Sequence, residues 1–298
     1  MSKGNVVLGY GRGAVGDLVL TRLKGQQVAK ARNRHPSNPR TSLQMKQRAG
    51  FISPLKFYTR GVQNLFQFAF MDKRPKESDY NAFMRINSGA GFPLTPSEFR
   101  TFGFPALGAW IMSRGSLTGI PVEMAGAHSN NIGLHMSNEL DTQSVGNFSA
   151  WLIANHLADE GDFITFVMIR AEGTAVTATS ISVDEGAEVR WYINQLKVSS
   201  NSQQPMSSAM PYVQRYQVSG QYYFGISAES AQINETTVGM AVIRSKLTSK
   251  GLRVSTARLL CGGYVPEFIE FRNTPAEIAR VLAEWHTTDT AILKGGLL

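Results

Sequence analysis

Cysteine occurs once in these 298 residues, at Cys261. A single thiol excludes an intrachain disulfide and any cysteine-rich zinc site. Histidine is almost as scarce: His35, His128, His135, His156 and His286 are scattered, and none shows the two-ligand helical spacing of a zinc enzyme. There is no GxSxG elbow and no GxxxxGKS or GxxxxGKT phosphate loop. Long apolar runs are missing too. The stretch FISPLKFYTRGVQNLFQFAF is interrupted by Lys56, Arg60 and Gln63, and a membrane span requires about 18 uninterrupted apolar residues. No signal-peptide pattern opens the chain, so synthesis in the cytoplasm is expected. These absences point to a protein that is not an enzyme, with no cofactor, no metal, no small-molecule substrate and no membrane partner.

Acid is what the first 60 residues lack. They hold twelve bases against the single acid Asp17, whereas the remaining residues hold 18 bases and 21 acids. Such asymmetry predicts a basic arm that meets nucleic acid or an acidic protein surface, with a near-neutral body behind it. The basic residues expected to make that contact are Lys30, Arg32, Arg34, Arg40, Lys46 and Arg48. A solvated basic face explains the same composition, and the shortage of aromatics before Phe51 weighs against a single-stranded nucleic acid partner.

Residues 11–16, GRGAVG, match the dinucleotide fingerprint GxGxxG. A working fingerprint opens a helix whose N-terminal amides hold a pyrophosphate, and an acid follows about 20 positions later. Here the sequence continues as DLVLTR, which reads as a strand, and the later window offers Lys30, Arg32 and Arg34 in place of an acid. The expectation is therefore a glycine-rich turn feeding a hairpin, with strands near 17–23 and 27–32 around Lys24-Gly25-Gln26. Pro36 and Pro39 stop the ladder, because neither can donate a backbone hydrogen bond. Thr41 with Gln44 has the spacing of a capping box, predicting a helix from Thr41 to Ile52. Ser53-Pro54 reads as a second cap, predicting a new helix from there to about Phe70.

Downstream, Ser78-Asp79 starts a short helix, and the glycine- and proline-rich stretch before Pro105 reads as a linker. Two domains are expected: 1–104, a basic hairpin arm and helical module, and 105–298, a mainly β domain with flanking helices. In the second, a helix is predicted over 145–157 and strands near 163–169, 174–183, 187–193, 222–227, 239–245 and 252–260. Asp184-Glu185-Gly186 serves as a hairpin turn between two of them. The polar run 199–208 has no apolar period and reads as a mobile loop. Asp159, Glu160 and Asp162 read as a solvated turn rather than a calcium loop. Thr274-Pro275 caps a C-terminal helix with Ile278, Val281, Leu282 and Trp285 facing inward. The fold class is α+β: an N-terminal β-hairpin arm plus helices, then a mainly antiparallel, sandwich-like β domain with a C-terminal helix.

The stretch GAVGDLVLTRLKGQQVAKARN, then NPRT, a glutamine-bearing helix start and FISPLKF, resembles the N-terminal module of a family of uncharacterised proteins encoded by gut Bacteroidetes and their phages. The positions that carry the resemblance are Gly13, Gly16, Asn38, Pro39, Arg40, Thr41, Gln44, Arg48, Ser53, Pro54 and Leu55. The family has no assigned activity. What the resemblance implies is a phage structural context: a virion protein, capsid- or tail-associated, made in the host cytoplasm. Its partners would be other virion proteins and copies of itself, with packaged DNA touching residues 1–60. A nucleic-acid-binding protein using the same basic arm is the alternative.

Overall fold

The computed structural model describes residues 13–23, 26–34, 42–60, 69–88, 90, 92–93, 95–96, 108–126, 131–136, 143–176, 179–227, 237–262 and 265–287. It divides into two compact units, Met1–Thr41 and Ser42–Leu298.

In the first unit, β1 (Gly13–Val15), β2 (Leu18–Leu23) and β3 (Gln26–Ala31) form an antiparallel three-stranded sheet in that order. GRGAVG does not open a helix. Its last three described residues before the turn are a strand, and Gly16, at φ 57°, turns the chain directly into β2. A primed two-residue hairpin turn asks for glycine at its first central position, because only there is a left-handed backbone free of a Cβ clash. The hairpin read from the sequence is present, with β1 added on its outer side. Thr41 and Arg40 lie outside the described residues.

The second unit runs α1 (Ser42–Arg60), α2 (Asp79–Asn87), β4 (Ile111–Ser113), β5 (Glu123–Met124), β6 (Ile132–Met136), α3 (Val145–Ala154), β7 (Phe163–Val176), β8 (Ile181–Lys197), α4 (Met206–Ala209), β9 (Gln214–Val218), β10 (Gln221–Ile226), β11 (Thr237–Thr248), β12 (Gly251–Val254), β13 (Ala257–Arg258), β14 (Leu260–Cys261), α5 (Val265–Arg272) and α6 (Pro275–Thr287). The fold is α+β and dominated by antiparallel sheets, as the strand and turn pattern predicts. A five-stranded sheet has the order β12-β11-β7-β8, with β14 also on β11. A four-stranded sheet has the order β5-β6-β10-β9, and β13 pairs with β4.

Strand β7 explains the layering. Its side chains alternate between two cores: Ile164, Phe166 and Met168 on one face, Val167 and Ile169 on the other. A strand covered on both faces reads as a near-continuous apolar run, which FITFVMI is apart from Thr165. The first face packs with Ile132, Leu134, Met136, Phe224 and Ile226 of the four-stranded sheet and with Phe148 and Leu152 of α3. The second packs against Phe57 and Tyr58 of α1, Phe83 of α2, and Trp110. Helices, five-stranded sheet and four-stranded sheet therefore make three layers. The expected domain boundary near residue 105 divides residues that share this core, since Phe57 and Phe83 line it together with Trp110 and Cys261. Cys261 is buried in it, and burial pushes its thiol up to about 12, so it packs as a small apolar residue.

Three local expectations are corrected. The helix does not break at Ser53: α1 runs through it, with Pro54 inside. An interior proline costs about 3 kcal/mol, but Ile52, Phe57 and Tyr58 are buried around it, Ile52 against Phe92, Phe268 and Val281. Tertiary burial outweighs the lost helix hydrogen bond. The turn of the long hairpin is also not at Asp184-Glu185-Gly186. β7 and β8 pair out to Val176↔Ile181, and those three residues lie within β8, where the register shifts. Lastly, the polar segment from Ser199 is held in place. The N–H groups of Val145 and Gly146 donate to Gln204 O at 2.9 Å and Ser202 O at 3.0 Å, Met206 N–H donates to Gln143 O at 2.8 Å, and Ser199 N–H donates to Ser149 Oγ at 3.1 Å. The segment satisfies amides of the first turn of α3 that have no partner within the helix.

Gly146 makes this approach possible. A Cβ there would stand 2.5 Å from Ser202 O and 2.9 Å from Ser200 O. Gly146→Ala is expected to push the 199–206 segment off the helix, read as faster amide hydrogen exchange at Val145 and Met206 with the global unfolding midpoint nearly kept.

Candidate interaction surface

The three-stranded sheet of the first unit is where the basic residues gather. Its register is Gly13↔Leu20 to Val15↔Leu18 between β1 and β2, and Leu18↔Ala31 to Leu23↔Gln26 between β2 and β3. Residues opposite each other share a face, so Val15, Leu18, Leu20, Arg22, Ala29 and Ala31 fall on one side. Ala14, Val19, Thr21, Leu23, Val28 and Lys30 fall on the other. Arg32 N–H donates to Asp17 O at 2.7 Å, which extends the pairing by one step and sets Arg32 on the side of Lys30.

Arg34 is committed elsewhere. Its Nε and Nη2 both donate to Asp17 Oδ1, at 3.1 Å and 2.5 Å. Both side chains are well exposed, so this pair contributes under about 1 kcal/mol, but it neutralises one cation of the expected group with the one acid of the arm. Lys46 and Arg48 belong to the second unit, on α1. Their side chains lie outside the described residues. Of the six expected contacts, the fold brings Lys30 and Arg32 together, pairs Arg34 with Asp17, and places Lys46 and Arg48 on another element. Arg40 is not described.

Exposed apolar side chains interleave with these cations. Val15 is 66% exposed, Leu23 64% and Leu18 45%, and Leu20 is the one buried residue among those described in the sheet. Composition directed attention to the charges; that Val15, Leu18 and Leu23 are exposed was visible only in the fold. Searches of family models, of curated proteins and of solved structures found no match to this chain.

The acidic run of the second unit is built differently from the expected solvated turn. Asp162 is buried, and its Oδ2 accepts Arg244 Nε at 2.6 Å and the backbone N–H of Asp159 at 2.9 Å. Asp159 Oδ2 accepts Arg244 Nη2 at 2.8 Å and Lys246 Nζ at 2.6 Å. The Lys246 hydrogen bond, reinforced by the Arg244 charge, holds the Asp159 carboxyl below its ordinary value. Glu160 is lowered as well, chiefly because it accepts the Ser200 N–H at 3.1 Å. These oxygens fasten the start of β7 to β11 and to the 199–206 segment. Among the described residues no group of three or more His, Cys, Asp or Glu is arranged to hold a metal ion.

Proposed function

We propose that this chain is a non-enzymatic structural protein of a phage particle, capsid- or tail-associated, which assembles with copies of itself and with other particle proteins through its basic N-terminal sheet. The phage setting comes from the sequence resemblance of the N-terminal module. The observation that carries the assembly role is the make-up of the sheet. It is a separate compact unit in which Val15, Leu18 and Leu23 are exposed on both faces beside Lys30 and Arg32. A small sheet with so little apolar burial is marginal by itself, and exposed apolar side chains set among cations are what a protein-docking surface needs.

Exposed Lys30 and Arg32 on one side favour the second reading, phosphate contact with nucleic acid. Light scattering after size exclusion separates the two on the full chain, at low and high salt, with and without a short DNA duplex. Assembly predicts oligomers that weaken in salt without vanishing, and that dissociate when Val15→Ser and Leu23→Ser are combined. A monomer that binds DNA through Lys30 and Arg32 and releases it steeply as salt rises, one counterion per phosphate contact, would overturn the assembly role.

A further inference from the structure

Strand β11 runs on after β7 has left it. Its last pair with β7 is Ser245↔Phe163, whereas β12 accompanies it further, through Lys246↔Arg253, Leu247↔Leu252 and Thr248↔Gly251. Residues 246–253 therefore form a hairpin tip beyond the last β7 pair. The tip is preformed. Ser249-Lys250 is a two-residue loop, Gly251 supplies a φ of 104°, and the Thr248 hydroxyl donates to Gly251 O at 2.8 Å and accepts the Lys250 N–H at 3.3 Å.

Burial ends where the β7 pairing ends. Ser245 and Val254, opposite each other, are buried; Leu247 and Leu252, the next pair on the same face, are 75% and 38% exposed. The charge of the tip is of one sign, since KLTSKGLR holds three bases and no acid. Lys246 is held by Asp159. Arg253 donates to the neutral Ser116 hydroxyl at 3.4 Å, which leaves its charge in place, and Lys250 is exposed in the loop. Two exposed leucines thus stand among cations on a stiff support.

The size of this surface selects its partner. A specific protein interface takes about 20–30 residues a side, far more than a hairpin tip presents. Phosphate contact with nucleic acid uses the cations and leaves the leucines uncovered. A bilayer surface answers both features, because leucine enters the boundary between headgroups and acyl chains while lysine and arginine meet anionic headgroups. No described helix is long and apolar enough to cross a membrane, and contact at the surface needs none.

We infer that the β11–β12 tip is a membrane-surface contact: Leu247 and Leu252 insert at the interface of an anionic bilayer, and Lys250 and Arg253 face its headgroup phosphates. One tip binds weakly and reversibly, and copies held together multiply the effect. This contact lies in the second unit and does not rest on the assembly role of the N-terminal sheet.

Flotation of the full chain with vesicles tests it, using phosphatidylcholine alone and phosphatidylcholine with about one-third phosphatidylglycerol, with far-UV circular dichroism to verify folding. The wild-type chain is expected to float with the anionic vesicles and not with the neutral ones. Leu247→Ser with Leu252→Ser, and separately Lys250→Ser with Arg253→Ser, are each expected to lower the partition coefficient at least about tenfold. Lys30→Ser with Arg32→Ser controls for the other basic surface and is expected to stay closer to wild type than either tip variant. Because Cys261 is buried, Leu247→Cys takes an environment-sensitive thiol label by itself, and the label's emission is expected to shift to the blue only with anionic vesicles. No flotation of the wild-type chain, flotation that the leucine variant keeps, or an unshifted label overturns the lipid contact. Loss of oligomers or of DNA retention in the leucine variant, with no vesicle binding by wild type, overturns it in favour of a protein or nucleic acid partner.

Discussion

Replacing Asp162 by alanine is expected to cost the second unit about 3–5 kcal/mol, the range for removing one partner of a buried ion pair. Asp162 is 1% exposed and Arg244 6%, and Arg244 Nε donates to Asp162 Oδ2 at 2.6 Å. Removing the carboxylate takes the acceptor from Arg244 Nε and leaves a guanidinium that folding has already taken out of water to the exposed Asp159 carboxylate at Nη2. It also deprives the Asp159 N–H of its acceptor, so the turn into β7 loosens with it. Asp162→Asn keeps the shape but not the charge, and is expected to fall between alanine and wild type. Asp159→Ala supplies the contrast. Its side chain is 60% exposed, so despite contacts to both Arg244 and Lys246 the expected loss is below about 1 kcal/mol. The two variants also separate by pH. The Asp159 carboxyl is lowered in the folded state, so its contribution is complete above the unfolded value of about 3.9 and is lost as pH falls through the lower folded value. Asp159→Ala should therefore lower neutral stability by that same small amount and flatten the acid limb below about pH 4 to the same extent. Urea unfolding across pH reads all three; equal losses for Asp159→Ala and Asp162→Ala would show that burial does not set the strength of this network.

Phe57→Ala is expected to cost about 3–5 kcal/mol, the usual cost of truncating a fully buried phenylalanine. The Phe57 ring lies 4.6 Å from Trp110, 5.8 Å from Phe83 and 5.3 Å edge-on from Trp191, so one side chain joins α1 to α2, to the strand-end tryptophan and to the five-stranded sheet. Ring pairs of this kind add to the area term. Phe51 lies on the same helix, six residues earlier, and is 48% exposed. Phe51→Ala removes the same atoms from a solvated face and is expected to change stability by no more than about 0.5 kcal/mol. Chemical denaturation compares the pair, and near-ultraviolet circular dichroism reports the loosened aromatic cluster in Phe57→Ala. Similar costs at the two positions would mean that α1 is held by its own helical bonds rather than by packing on the sheet.

The two outcomes bear on how Pro54 is tolerated. The hydrogen bond that Pro54 cannot donate would have run to the carbonyl of residue 50, and Ile52 and Phe57 on either side of the proline are both buried. Local chemistry reads Ser53-Pro54 as a start signal, and nothing within a few residues contradicts it. The decision belongs to Phe83, Trp110, Phe268 and Val281, which are distant in sequence.

The candidate surface has the same division. That residues 1–60 are basic, and that a hairpin carries Lys30 and Arg32, followed from the residues themselves. That Arg34 closes on Asp17, 17 positions away, and that Val15, Leu18 and Leu23 remain uncovered, depends on strand register and on what lies across the sheet.

Sequence alone determined those features whose causes lie within a few residues. Gly16 turns the hairpin, Ser78 caps α2 by accepting the Asn81 N–H at 3.2 Å, Thr274 caps α6 by accepting the Glu277 N–H at 3.4 Å, and the run FITFVMI reads as a strand. Tertiary structure alone decided the continuity of α1, the burial of Asp162 against a base 82 residues away, the clamping of the polar segment onto α3, and the placement of Asp184-Glu185-Gly186 in a bulge instead of a turn. The physical reason is range. A cap or a turn is settled by donors and acceptors three or four positions apart, which any window of sequence contains. A charge, a proline or a polar run is settled by whichever distant surface covers it, and that surface exists only once the sheets have paired.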